Sequence, residues 1–161
     1  VLRVAVDPGV RGLGVAIYVD QTLVDGRYLE AVDDPYCDLL VTIPAFEVLM
    51  RELGIADEII VELPKVYDIA HQKGDQGDIV RVAAVAGAVL CAARPNVQRA
   101  YAFEPWEWKG NISKPICRDR TIARLSVDEL KRIDLPHAES IRHNVWDAVA
   151  FGRWRACGPL P

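Results

Sequence analysis

The chain opens VLRVAVDPGVRGLGVAIYVD, and no other stretch constrains its fold as tightly. Residues 2–6 and 13–19 are short apolar runs rich in β-branched side chains, joined by a turn that contains Pro8, Gly9, Arg11 and Gly12. Such a pair reads as a β-hairpin, and QTLVDGRYLEAV extends it with a third strand. The first run ends on Asp7, although a strand this apolar is expected to be buried. An acid there points to a purpose beyond folding. The strand would hold Asp7 rigidly, and the glycines would let a bulky anion come close.

Pro35 opens a helical window in which Leu39, Leu40, Ile43, Phe46, Leu49, Met50 and Leu53 follow a mostly helical period. Gly54 is placed as its C-terminal cap, and Pro44 is expected to kink or split it. EIIVELP is a buried strand that again ends on an acid, Glu62, and KVYDIAHQKGDQGD reads as a polar loop. Residues 79–93 form a helix that is apolar nearly all round. Its many small residues suit the core, and would also permit a close two-fold helix contact. NVQRAYAF is a fifth strand, EPWEWKGNISKP a loop, ICRDRTIARLSVDELKRI a basic and then amphipathic helix, and HNVWDAVAFGRWRAC the last helix. Three strands followed by two strand-and-crossover units make an α/β fold. The expectation is a five-stranded mixed sheet with helices on both faces.

A length of 161 residues implies one domain spanning 1–161, large enough to bury a core without staples. A net charge of −4 argues against a general nucleic-acid coat protein, yet it leaves room for a local basic face. Cys37, Cys91, Cys117 and Cys157 stand far apart with no CxxC pair, so they read as buried reduced thiols. The longest apolar stretch, 79–93, contains Arg81 and is too short to span a bilayer, and no charged-then-apolar leader opens the residues given. A cytoplasmic protein without membrane contact is expected.

Three acids stand where a fold alone gains nothing from them: Asp7 and Glu62 at strand ends, and Asp147 in an apolar helix. Singly, each reads as a turn, cap or solvated position. Together they say more, because neighbouring strands lie about 4.8 Å apart. If the first and fourth strands pair, Asp7 and Glu62 sit side by side, and their repulsion calls for a divalent cation. Mg²⁺ fits oxygen donors best, with Mn²⁺ as a substitute. Two such ions about 4 Å apart would suit phosphodiester cleavage. Between residues 106 and 124, Lys109, Lys114, Arg118, Arg120 and Arg124 face only Glu107 and Asp119, a local net of +3 in an acidic protein. That stretch is either a solvated helix face or a set of phosphate contacts. In the polar loop after Glu62, Tyr67 could stack on an unpaired base, and Lys73 is a further candidate DNA contact.

The stretches VAVDPGVRGLGVAIY, IIVELPKVY, KGNISKPICRDR and HNVWDAVAFGRW fall in the order and spacing of RuvC-like Holliday junction resolvases, in the ribonuclease H-like superfamily. The chain resembles that family over about residues 3–155, and in its length and its W-x-W-K-G stretch it resembles the phage members. The resemblance implies a homodimer that nicks two opposed strands of four-way branched DNA. Asp7, Glu62 and Asp147 would be its metal-binding carboxylates, and Lys114 matches the family's lysine before the basic helix. The sugar-kinase and actin ATPases share a DxG after a first strand but need two such domains, so no nucleotide cofactor is expected. The family carries an Asp or His three residues before its last acid, where this chain has Asn144. Either His143, four residues before Asp147, takes that role, or Asn144 makes this a junction-binding but cleavage-poor form. YqgF-like RNA-processing nucleases, whose opening motif is close to DPGVRGLGVA, are the alternative enzyme.

Overall fold

The computed structural model describes residues 1–31, 42–64 and 76–159. Strand β1 (Leu2–Gly9) and strand β2 (Gly12–Val19) form the expected hairpin, with Gly9 opposite Gly12, and β3 (Thr22–Glu30) pairs antiparallel with β2. Helix α1 (Ile43–Leu53) leads to β4 (Ala56–Glu62), and α2 (Gln76–Ala93) leads to β5 (Val97–Phe103). The sheet order is β3-β2-β1-β4-β5, with β1, β4 and β5 parallel. The remaining chain forms α3 (Pro105–Trp108), α4 (Lys114–Ile122), α5 (Val127–Leu130) and α6 (Glu139–Cys157).

Strand alternation sorts the side chains into two layers. Val4, Val6, Ile59 and Val61 face one side, where Phe46 and Met50 of α1 and Val85 and Val89 of α2 cover them. Ala5, Ala16, Tyr18 and Ile60 face the other, against Val145, Ala148, Val149 and Phe151 of α6. The second layer is close where glycines and alanines meet, Gly14 and Ala5 on the strands and Gly152 on α6. A Cβ on Gly14 would lie 1.9 Å from the Asn144 carbonyl oxygen, and one on Gly152 would lie 2.4 Å from the Tyr18 ring. The Tyr18 hydroxyl closes this contact by donating to the Val149 carbonyl oxygen at 2.8 Å. At the far end of the sheet, Arg3 and Arg155 converge on the buried Glu58. The Arg3 Nε donates to Glu58 Oε1, and the Arg155 Nη2 donates to Oε2 at 3.0 Å.

Several expectations change here. Pro44 lies in the first turn of α1, where its missing N–H costs nothing, so it interrupts no part of α1 itself. Pro105 opens α3 within the expected loop. The expected helix after Ile116 breaks, because Ser126 and Glu129 form a capping box that starts α5. Helix α2 is core on one side only: Val85, Ala86, Val89 and Ala93 are buried, whereas Val80, Ala83, Ala84 and Gly87 are exposed. Of the described cysteines Cys117 is buried, but Cys91 and Cys157 are exposed. Cys37 and the window from Pro35 to Leu40 lie outside the described residues. No helix among the described residues is long and apolar enough to cross a membrane.

Candidate active site

Register and alternation together place the three acids. Val6 pairs with Val61 across parallel strands, so Asp7 and Glu62 are the next residues of adjacent strands. Each stands one residue beyond an inward Val of the first layer, so both belong to the face that α6 covers. Asp147 descends onto that same face from α6, which reaches it because Gly14 admits the helix backbone. All three are buried, Asp147 being 4% exposed.

Burial sets their electrostatics. It is the largest cause holding the Asp7 carboxyl well above the usual carboxylate range, and Glu62 and Asp147 push it further. Burial also raises Glu62, partly offset by Lys109. Two lysines answer this excess of negative charge. Lys114 Nζ lies 2.7 Å from Asp147 Oδ2, and Lys109 Nζ lies 3.5 Å from Glu62 Oε1. Burial alone would lower the Lys114 ammonium, yet Asp147, Asp7 and Glu62 together raise it. Two lysines thus face three buried carboxyl groups.

The basic stretch divides. The Lys109 side chain is only 9% exposed and lies over the Trp108 ring at 4.6 Å, so it is an internal counter-ion rather than part of an open face. Lys114 is half-exposed at the mouth of the site. Arg118 and Arg120 are exposed on α4, and Arg118 pairs with its neighbour Asp119. Arg124 points elsewhere and donates to the Pro159 carbonyl oxygen at 3.2 Å. Tyr67 and Lys73 lie outside the described residues.

The two candidates before Asp147 also separate. Asn144 is 8% exposed, and a Cβ on Gly9 would lie 2.7 Å from its Nδ2. His143 is exposed and lines a cleft between α4 and α6; burial of its ring and then Lys114 lower its pKa. The expected role of the opening glycines changes accordingly. Asn144 and the α6 backbone take the space beside Gly9 and Gly14, and the Tyr28 ring takes that beside Gly12.

One site residue escaped the sequence reading. The Trp108 indole Nε1 donates to Glu62 Oε2 at 2.8 Å and fixes that carboxylate. An indole is donor-only, so a buried tryptophan just after a strand end was the signal.

A hard divalent cation suits the donor chemistry of this site. Its ligands would be oxygens, carboxyl groups outnumber lysines, and the buried Asp147 Oδ2 accepts no hydrogen bond besides its ion pair. As the side chains stand, no three His, Cys, Asp or Glu residues among the described ones converge closely enough to hold a metal ion.

No family profile and no curated protein matches the sequence. Among solved structures, T. thermophilus RuvC in complex with a Holliday junction substrate superposes with a TM-score of 0.64 at 18% identity, over 100% of this chain and 99% of that one. A second Thermus thermophilus RuvC structure gives 0.62 at 18% identity, over 98% and 97% of the two chains. The yeast mitochondrial Holliday junction resolvase gives 0.51 at 10% identity, over 96% and 80%. This chain therefore has the ribonuclease H-like α/β fold of the RuvC resolvases.

Proposed function

We propose that this chain is a divalent-metal-dependent endonuclease that resolves four-way DNA junctions, acting as a homodimer of the phage type. The observation that carries this reading is the burial of Asp7, Glu62 and Asp147 on one face at one end of the sheet, beside the half-exposed Lys114. The likeness to junction resolvases in fold supports it, as do the length and the Trp106 to Gly110 stretch.

Asp7, Glu62 and Asp147 would hold Mg²⁺ or Mn²⁺, two per site, with the Asn144 amide oxygen as a neutral donor. When bound, the metal lowers the pKa of the attacking water and stabilises charge on the phosphate and leaving oxygen. Trp108 orients Glu62 for this task, and Lys109 offsets part of the buried charge. Lys114, half-exposed beside Asp147, would meet an entering phosphate, and Arg118 and Arg120, exposed on α4, would add backbone contacts. A symmetric double incision needs two sites, hence the dimer.

The test uses labelled four-way junction, duplex and RNA hairpin, each with and without Mg²⁺. Paired nicks in the junction alone are expected; preferential cleavage of the hairpin would select the RNA-processing reading instead.

A second reading has an observation of its own. Asn144, not His143, takes the buried place beside the Asp7 turn, and an amide carries no charge and takes no proton from water. On that reading the chain binds junctions and cleaves them slowly, and Asn144→Asp raises cleavage by orders of magnitude while His143→Ala matters less. Efficient cleavage that His143→Ala abolishes and Asn144→Asp does not improve would exclude it.

A further inference from the structure

The carboxylate site does not end at Asp147. A cleft of about 430 Å³ runs between α4 and α6, lined by Lys114, Arg118, Arg142, His143, Trp146 and Asp147 among others. Lys114 and Asp147 belong to the site itself, so the cleft opens directly from it. Its size lies within the range of about 300–1,000 Å³ typical of small-ligand sites. Three fixed cations line it, against Asp147 and Glu139.

Arg142 is the residue that gives this cleft a built character. Its Nε donates to the Pro136 carbonyl oxygen at 2.9 Å, and its Nη2 donates to the His137 carbonyl oxygen at 3.1 Å. Two neutral acceptors thus aim the guanidinium without cancelling its charge. Among the described residues its one carboxylate partner, Glu139, lies 3.7 Å from Nη1 and is 90% exposed, so that pair is weak. Trp146 stands four residues further along α6, one turn away on the same face, and is half-buried. An aimed, under-compensated guanidinium beside an indole, one step from three carboxylates, is a combination that suits a nucleotide.

We infer that this cleft seats the nucleotide next to the scissile phosphate, with Arg142 holding its phosphate and Trp146 covering its sugar or base. The inference rests on the junction-nuclease reading, and it adds a subsite that sets where along the strand the cut falls.

Charge-neutral methylphosphonates, placed singly at each phosphate within four positions of the crossover, test it. Junction affinity in metal-free buffer is the readout, so the result does not depend on cleavage. Wild-type protein should bind one modified junction about tenfold more weakly than the unmodified one, the loss expected for one charge-assisted contact. Arg142→Ala should bind those two junctions alike. Arg142→Gln, which keeps a donor toward the carbonyls but no charge, should do the same and guards against a folding effect. Penalties that stay the same in wild type and both variants at every phosphate, with junction preference intact, would overturn the subsite. Loss of any preference for junction over duplex in wild type would instead remove the functional reading on which it rests.

Discussion

Gly14→Ala is the substitution whose consequences can be followed furthest through this structure. An added Cβ would stand 1.9 Å from the Asn144 carbonyl oxygen and 2.8 Å from the Val145 nitrogen, where ordinary contact begins near 3.4 Å. Both obstacles are helix backbone, so no rotamer change relieves them. Helix α6 must retreat from β2 by about 1.5 Å, or the strand must bend by as much. Overpacking of this kind costs about 1–3 kcal/mol. For a chain of this length that corresponds to a fall in Tm of about 2–12 °C. Asp147 rides on α6 three residues beyond Asn144, so the same retreat draws it away from Asp7 and Glu62. A misplacement near 1 Å costs on the order of 100-fold in rate. Thermal unfolding and amide exchange along α6 read the effect. Gly87→Ala is the control, because nothing lies within 4 Å of a Cβ there. It should stabilise by about 0.5–1 kcal/mol, as alanine does over glycine in a helix. If Gly14→Ala melts with wild type and leaves α6 protection unchanged, the close helix–strand contact is wrong.

Three further outcomes follow from other parts of the molecule. Glu58→Gln leaves Arg3 and Arg155 without their shared carboxylate and should cost about 3–5 kcal/mol, measured by denaturant unfolding. Burial pushes the Glu58 carboxyl up, but hydrogen bonds from Arg3 and Arg155 outweigh it and hold the group below the ordinary value. Its stabilisation is therefore complete above the unfolded carboxylate pKa and lost as pH falls through the lower folded one, a loss that Glu58→Gln should lack. Lys114→Ala should weaken binding similarly across junction sequences and reduce the log–log salt slope by about one; an unchanged slope would return Lys114 to a counter-ion of Asp147 alone. Gly87→Leu projects into open space and cannot overpack the protomer core, so light scattering should report a weakened dimer while the protomer keeps its fold by circular dichroism.

Most of the sheet was legible because its signals are local. Apolar β-branched runs and a glycine turn mark β1 to β3, and the two later apolar runs with intervening helices make β4 and β5. The acids were legible for a related reason: an ionisable residue at the end of a buried run conflicts with its surroundings, and Asp7, Glu62 and Asp147 each carry that conflict. What stayed hidden depends on contacts between elements distant in sequence. Nothing near Gly14 announces that Asn144 will press on it, and a glycine-rich turn reads equally well as an anion cradle. Lys109 looked like one of five surface cations until the fold set its side chain beside Glu62 and Trp108. Arg3, Glu58 and Arg155 are separated by most of the chain, and only the parallel pairing of β1 with β4 brings the first two together. Helix ends were misjudged where a cap competes with continuing period, as at Ser126.

The proposed function stands or falls on whether Asp7, Glu62 and Asp147 form one metal-dependent cleavage site. Its most direct test is nicking of a labelled four-way junction in Mg²⁺ by wild type, Asn144→Asp and the Asp7→Asn derivative of each. Mg²⁺-dependent paired nicks are expected from wild type or, if Asn144 limits it, from Asn144→Asp. Asp7→Asn should abolish those nicks in either background while junction affinity in metal-free buffer survives. Cleavage undiminished by Asp7→Asn, or no cleavage by either parent, would contradict it.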